Sequence, residues 1–175
     1  MNYQYIDMPN LEEISKQILD KIPNFHKNNS AYKSYDKEFF GEIQVLRESV
    51  EKLKPWNEIF DMAIVSTKRK CKLPIHVDYG PIEQTKYSLN IPVYNCVQTY
   101  TVFYRVKEGV QYQKQSAGIN SYNGYQESDV EEIDRIYLNK PAFFNTQVPH
   151  SAVNDTEEPR IILTIRSEIP WKGLN

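Results

Sequence analysis

The sequence has 175 residues, of which 40% are hydrophobic and 25% charged, and its formal net charge at pH 7 is −2. This is the composition of a globular protein that buries its own core without needing a disulfide or a metal to fold. The sequence pI of about 6.0 argues against nucleic acid as a partner, because affinity for phosphates needs a basic surface. We expect a single domain over residues 1–175.

The N-terminus and the cysteines favour a cytoplasmic location. No basic region followed by an apolar stretch begins the sequence, so we expect no signal peptide. No apolar run approaches the length of a membrane span, which predicts a protein without a membrane partner. Cys71 and Cys96 are too far apart for a CxxC motif, and we expect both to be reduced thiols.

Residues 1–55 have the pattern of helices. Apolar residues recur at helical spacing over residues 11–22, and Asn10 with Glu13 has the spacing of a capping box. Residues 24–34 are polar and predict a loop.

A second helix is predicted after this loop. Asp36 is a candidate N-cap, one apolar stripe runs over residues 39–53, and Pro55 ends it. We expect both helices to pack against a sheet.

Residues 59–167 have the pattern of short strands, rich in β-branched and aromatic residues and bounded by Gly, Pro and Asn. Many short strands without helices between them indicate a sandwich or a barrel. The polar stretch 107–132 is either a lid or a mobile hairpin tip. The predicted strands are residues 59–67, 75–78, 85–94, 100–106, 110–116, 133–138, 142–145, 148–153 and 160–166.

Two of the three histidines stand in strand-like segments. His76 and Asp78 are two residues apart, so their side chains share one face of an extended segment. His150, from a distant strand, completes a set of two imidazoles and one carboxylate. This set is the facial triad of non-haem Fe(II) oxygenases, which leaves coordination positions open for a cosubstrate and dioxygen. The alternative is that both are ordinary core or surface histidines, as we expect for the solvated His26.

Arg160 begins a very apolar strand, ten residues after His150. Burying an Arg is costly unless its charge meets an anion. A guanidinium is well shaped to bind a carboxylate through two hydrogen bonds. We therefore predict that Arg160 binds a carboxylate ligand.

The order His-x-Asp, a distant His, and an Arg ten residues further on resembles the 2-oxoglutarate- and Fe(II)-dependent oxygenases. The resemblance covers about residues 59–166. It implies a mainly β, cupin-like double-stranded β-helix, or jelly roll, with N-terminal helices that buttress one sheet. It also implies an enzyme in which His76, Asp78 and His150 bind Fe(II) and Arg160 binds 2-oxoglutarate. Dioxygen is the second cosubstrate, and ascorbate is a further candidate cofactor.

Within this superfamily the segment 150–163 is most similar to the aspartyl/asparaginyl β-hydroxylase branch, which has the pattern His-x3-Asn-x5-Arg followed by apolar residues. In that branch a basic residue and a small polar or His residue, two positions apart, help to hold the cosubstrate. Lys86 and Ser88 match these positions. The branch implies hydroxylation of a small-molecule or peptide substrate, either a peptidyl Asp, Asn or Pro side chain or a free amino acid.

The sequence departs from related patterns at two places. The hydroxylase branch often lacks the metal-binding acid, whereas Asp78 is present here. Many plant-type relatives have Arg-x-Ser at the cosubstrate site, but the residue two after Arg160 is Ile162. Thr164 shares that strand face and is a candidate substitute.

Arg160 and Arg166 also form an Arg-x5-Arg motif, similar to that of nucleic-acid alkylation-repair dioxygenases. In those enzymes the first Arg holds 2-oxoglutarate and the second lies near the substrate. The basic cluster 68–72 has no interleaved aromatic residues, so it does not resemble a nucleotide-recognition element. The sequence also leaves open a metal-binding cupin that performs no oxygenation, and a purely structural jelly roll.

Overall fold

The structure, a computed structural model, describes residues 1–25, 31–78, 87–117, 120–167 and 171–172; for 114–117 and 120–123 it describes the backbone alone. The helices are α1 (Leu11–Lys21), α2 (Lys37–Gly41) and α3 (Gln44–Glu51), with short 3-10 helices at Trp56–Glu58 and Glu127–Asp129. The strands are β1 (Tyr3–Tyr5), β2 (Ala31–Tyr35), β3 (Ile59–Thr67), β4 (Cys71–Lys72), β5 (Ile75–Val77), β6 (Tyr87–Tyr94), β7 (Tyr100–Val106), β8 (Gln113–Ala117), β9 (Asn120–Tyr125), β10 (Val130–Ile136), β11 (Ala142–Asn145), β12 (His150–Asn154) and β13 (Arg160–Ser167). No helix in these described ranges is long and apolar enough to cross a membrane.

The described strands form two antiparallel sheets. The first sheet has the order β1-β11-β6-β13-β3-β2, and the second has the order β10-β7-β12-β5-β9-β8, with β4 also paired to β12. Strands that are distant in the sequence are therefore neighbours in space, as β5 and β12 are.

One strand, β13, shows how the sheets position the core and a cavity. Residues 161, 163 and 165 are fully buried, and they pack in the same cluster as the helix residues Ile14 and Leu46. The alternate residues 160, 162, 164 and 166 line a cavity between the two sheets. Because strand side chains alternate between faces, the apolar half of β13 anchors the helices and the other half can carry chemistry.

The prediction of a mainly β protein with N-terminal helices on one sheet is confirmed. Strands at residues 59–67, 100–106 and 142–145 have the predicted bounds, because each is apolar and bounded by turn residues. The others shift by up to a few residues, and the first two residues of the predicted strand 85–94 lie outside the described residues.

Of the predictions for the N-terminal helices, two were wrong and the cap at Asp36 was confirmed. Asn10 has a φ of 60° and makes no side-chain cap bond, so the predicted capping box does not form. Asp36 does cap α2, accepting from the backbone N–H of Glu38. The single second helix is instead broken into α2 and α3, with Ile43 between them in a non-helical conformation.

Polar strands account for the remaining errors. The predicted loop 24–34 overlaps β2, which is an edge strand of the first sheet, and β1 is the opposite edge. The long polar stretch 107–132 contains β9, which was not predicted, beside β8, which overlaps the predicted strand 110–116, and the start of β10. Edge and hairpin strands are solvated on one or more sides, so they lack the apolar alternation that marks a buried strand.

Candidate metal centre and anion pocket

The structure brings the three predicted metal ligands together. His76 of β5 lies directly opposite His150 of β12, and the ring centroids are 4.6 Å apart. Asp78 follows β5, and its Oδ1 is 3.5 Å from His76 Nε2 and 3.8 Å from His150 Nε2. One ligand atom from each residue falls within 4.8 Å of the others. The three side chains are thus placed so that together they could hold one metal ion.

Backbone carbonyls orient both imidazole rings. The Nδ1–H of His76 donates to the carbonyl oxygen of Pro74 at 2.8 Å, and that of His150 donates to the carbonyl of Val148 at 2.9 Å. A carbonyl accepts only, so the proton of each ring is assigned to Nδ1. Each Nε2 is thereby directed at Asp78. Histidines that bind metals are commonly oriented in this way, by a hydrogen bond at the other ring nitrogen.

Burial and mutual charge set the protonation of the triad. Burial, together with the charge of His76, lowers the pKa of His150 to about 4. Burial also acts to lower the pKa of His76, but the hydrogen bond and charge of Asp78 raise it above its usual value. Although burial acts to raise the pKa of Asp78, its neighbours His76, His150 and Arg166 hold it well below its usual range. At neutral pH the triad therefore holds an ionised carboxylate and a neutral His150.

Arg166 is a residue of this centre that the facial-triad pattern does not include. Its Nη2 donates to Asp78 Oδ2 at 3.2 Å, and its Nη1 lies 3.6 Å from Asp61 Oδ2. Two features of the sequence marked it: the Arg-x5-Arg motif and the strand face that it shares with Arg160. The pairing with Asp78 joins residues far apart in the sequence and leaves no local pattern.

The triad lines a cavity of about 110 Å³ between the two sheets. Residues from both sheets contribute to it, including strands β3, β6, β11 and β13 of the first sheet. The predicted ligand residues Ser88 and Arg160 lie on the same cavity as the triad, and Lys86 lies outside the described residues. The other lining residues are Tyr32, Val65, Leu73, Asn90, Thr101, Phe144, Thr146, Ala152, Ile162, Thr164 and Arg166.

Arg160 is a buried cation without an acidic partner among the described residues. It is 2% exposed, and its Nη2 donates to Thr101 Oγ1 at 3.1 Å. Its Nε has no hydrogen-bond partner within the described part of the chain. Burial lowers the pKa of Arg160, and the one titrating neighbour that acts against this is the thiol of Cys96. A buried guanidinium with an unused N–H is a site for an anion.

Buried polar side chains line the same cavity as Arg160. Ser88 and Thr164 are 3% and 5% exposed, and both line the cavity. Asn90 donates to Ser88 Oγ at 2.9 Å. Thr101 was missed by the sequence reasoning, although a Thr between apolar residues of a buried strand is the signal that marks it.

Asn154, from the His-x3-Asn-x5-Arg pattern, has a structural role. Its side chain is fully buried and its amide donates to the carbonyls of Thr67, Lys68 and Glu158 at 3.0, 3.1 and 2.8 Å. These bonds tie the end of β12 both to the end of β3 and to the turn that leads into β13. Because Arg160 begins β13, Asn154 helps to fix where that arginine enters the cavity.

No protein-family model matches the sequence, and no curated protein is similar to it. Solved structures are similar in fold. The non-haem α-ketoglutarate-dependent epimerase SnoN from nogalamycin biosynthesis has a TM-score of 0.57 and 10% identity, over 94% of this chain and 77% of that chain. The α-ketoglutarate-dependent carbocyclase SnoK from the same biosynthesis has a TM-score of 0.56 and 11% identity, over 94% and 79%.

A third similar structure is E. coli ycfD, with a TM-score of 0.51 and 14% identity, which covers 84% of this chain and 36% of that chain. At such identities the likeness establishes the fold. The chain is a jelly roll. The predicted double-stranded β-helix is thereby confirmed, while the assignment to the aspartyl/asparaginyl hydroxylase branch stays a prediction.

Proposed function

We propose that this jelly roll is an Fe(II)- and 2-oxoglutarate-dependent dioxygenase that hydroxylates a C–H bond. One observation carries the proposal: a His-Asp-His triad and the buried charge of Arg160, which has no acidic partner in the described ranges, line a single cavity. A metal-binding cupin without an anionic cosubstrate has no need of that buried cation. A structural jelly roll has no need of either feature.

The residues that line the cavity fit both Fe(II) and 2-oxoglutarate. Two imidazoles and one carboxylate suit Fe(II) and leave open positions for further ligands. The orphaned Nε of Arg160 fits a ligand carboxylate, and Ser88 and Thr164 offer hydroxyls on the same cavity. When bound, iron and 2-oxoglutarate supply the oxidising power: 2-oxoglutarate, dioxygen and the substrate C–H yield succinate, carbon dioxide and an alcohol.

The chain itself contributes binding and orientation. His76, Asp78 and His150 would hold the metal, and Arg160 would bind the far carboxylate of 2-oxoglutarate. Thr101, which already accepts from Arg160, orients the guanidinium. Arg160 is 2% exposed, so little water screens its charge, which would strengthen an ion pair with the ligand.

The proteins of similar fold support this choice of cofactors. SnoN has been described in complex with Fe3+ and α-ketoglutarate, which is 2-oxoglutarate. SnoN and SnoK are named as an epimerase and a carbocyclase, so this fold serves more than one outcome. We propose hydroxylation for this chain because of the resemblance of residues 150–163 to the β-hydroxylase branch. The proposed substrate is a peptidyl Asp, Asn or Pro side chain or a free amino acid.

A second candidate function is oxidative dealkylation of a nucleic acid. It is favoured by one observation: Arg166, the second Arg of Arg-x5-Arg, lies at the triad and contacts Asp78. The net charge of −2 counts against a nucleic-acid substrate. We therefore place it second.

The proposal is tested by turnover of 2-oxoglutarate labelled at the carboxyl group that is lost. The protein is supplied with Fe(II), ascorbate and air, and with peptides containing Asp, Asn or Pro, free amino acids or N-methylated oligonucleotides. We expect iron-dependent release of labelled carbon dioxide, and gain of one oxygen atom by a peptide or amino acid. Formaldehyde from an oligonucleotide would favour the second candidate. No iron-dependent release with any substrate, or equal release by His150→Ala, would contradict an oxygenase.

A further inference from the structure

The two oxygens of the Asp78 carboxylate have different neighbours. Oδ1 faces the histidines, at 3.5 Å from His76 Nε2 and 3.8 Å from His150 Nε2. Oδ2 accepts a hydrogen bond from Nη2 of Arg166 at 3.2 Å. The orientation of this carboxylate is therefore set from the side away from the histidines.

Arg166 is itself held by two residues of neighbouring strands. It lies opposite Asp61 in the register of β13 and β3, and its Nη1 is 3.6 Å from Asp61 Oδ2. Nη1 also donates to the hydroxyl of Tyr32 at 3.4 Å, and that hydroxyl donates to Asp61 Oδ2 at 2.8 Å. The Arg166 and Asp61 side chains are 21% and 15% exposed, so the contact is largely screened from solvent.

A carboxylate can bind a metal through one oxygen or both, and it can rotate between these states. An Arg that donates to one oxygen leaves the other as the free ligand atom. Outer hydrogen-bond partners of this kind orient metal ligands, and their loss commonly weakens metal binding by roughly 10- to 100-fold.

We infer that Arg166, held by Asp61 and Tyr32, is a positioning residue that fixes Asp78 with Oδ1 toward the two histidines. The inference rests on the proposed function, because it takes the triad as a metal site. Neither Asp61 nor Tyr32 belongs to the His-x-Asp…His…Arg pattern. Tyr32, Asp61 and Arg166 form one hydrogen-bonded unit from β2, β3 and β13. Arg166 connects this unit to the triad at Asp78 Oδ2.

The direction in which two substitutions change metal affinity distinguishes a positioning role of Arg166 from an effect of its charge alone. If Arg166 acted only through its positive charge, Arg166→Met would strengthen binding of a metal cation and Asp61→Asn would weaken it. If the unit positions Asp78, both substitutions weaken binding, because each releases the carboxylate from its fixed orientation. Arg166→Lys keeps the charge but has no planar fork, so we expect it to restore binding only in part.

The experiment titrates Mn(II) alone into each variant and counts free Mn(II) by its electron paramagnetic resonance signal. We expect Arg166→Met and Asp61→Asn each to bind roughly 10- to 100-fold more weakly than wild type. The matched control is Arg105→Met, which breaks an exposed Arg–Glu pair with Glu131, 69% and 52% exposed, and should leave binding unchanged.

Thermal unfolding accompanies the titration. If Arg166→Met does not fold, Arg166→Lys decides, because it keeps the charge: charge alone predicts wild-type binding for it, whereas positioning predicts weaker binding. Opposite signs for the two variants, or unchanged binding in Asp61→Asn, would overturn the positioning role while leaving the metal site intact. Failure of the wild type to bind Mn(II) would instead overturn the metal site, and with it both the proposed function and this inference.

Discussion

His76 and His150 face each other across neighbouring antiparallel strands, with their ring centroids 4.6 Å apart. The sheet rather than a loop fixes this spacing, because the backbone hydrogen bonds of β5 and β12 set the register. Both Nδ1 atoms donate hydrogen bonds to backbone carbonyls. In the proposed metal site the two imidazoles are therefore oriented in advance, which lowers the free-energy cost of binding a metal.

His76→Ala and His150→Ala should each abolish metal binding, because either change leaves two ligands of the three. Isothermal titration with Co(II) or Mn(II) measures the loss. His26→Ala is the matched control, since His26 is the third histidine and stands outside the triad pattern. Metal affinity in His150→Ala equal to that of wild type would contradict the assignment of the ligands.

Arg160→Ala should raise the apparent KM for 2-oxoglutarate by about one to two orders of magnitude. That is the scale of a lost charged hydrogen bond, about 1.5–3 kcal/mol. Steady-state succinate formation across 2-oxoglutarate concentrations measures it, and Arg105→Ala is the control, since Arg105 of β7 is exposed and pairs with Glu131. A variant with an unchanged KM would show that another residue binds the cosubstrate.

Arg160→Met should stabilise the protein in the absence of metal and 2-oxoglutarate. The substitution replaces a buried cation, which has no described acidic partner, with an apolar side chain of similar length. A gain of about 1 kcal/mol corresponds to roughly 2–4 °C in Tm for a chain of this size. Calorimetry of the ligand-free protein checks this, and a lower Tm for Arg160→Met would mean that the buried charge is compensated within the chain.

Metal affinity should fall as the pH is lowered. The pKa of His76 is raised in the metal-free protein, so below that pKa a proton occupies Nε2 and must leave before a metal binds. The pKa of His150 is lowered to about 4, so its Nε2 stays available at neutral and mildly acidic pH. The expected loss is up to about tenfold per pH unit below the pKa of His76. Mn(II) titrations at about pH 6 and about pH 8 would show this loss, whereas equal affinities at both would contradict it.

The bounds of buried strands could be predicted from the sequence, whereas strands exposed to solvent could not be recognised in the same way. β3 has its predicted bounds because it is apolar over most of its length. The sequence predicts a loop over 24–34 where β2 begins, because the middle three residues of β2 are exposed and give no apolar alternation. The predicted cap at Asn10 failed because this residue takes a left-handed conformation that sequence spacing does not report.

At the site, residues marked by local spacing could be predicted, whereas contacts between distant strands could not. His76, Asp78, His150 and Arg160 were predicted from spacing within strand-like segments, and the structure places them on one cavity. The contact of Thr101 with Arg160 became evident only from the packing of β7 against β13 of the other sheet. Contacts across sheet neighbours depend on register, which a single sequence does not specify for strands far apart in the chain.

The most direct test of the account is anaerobic visible spectroscopy of the protein with Fe(II) and then 2-oxoglutarate. If one cavity binds both, the chelate gives a weak metal-to-ligand charge-transfer band in the wild type. The band should be absent in His150→Ala and should need far more 2-oxoglutarate in Arg160→Ala. No band in a wild-type protein that is folded by circular dichroism would contradict the account, and the jelly roll would then be a metal-binding cupin or a structural protein.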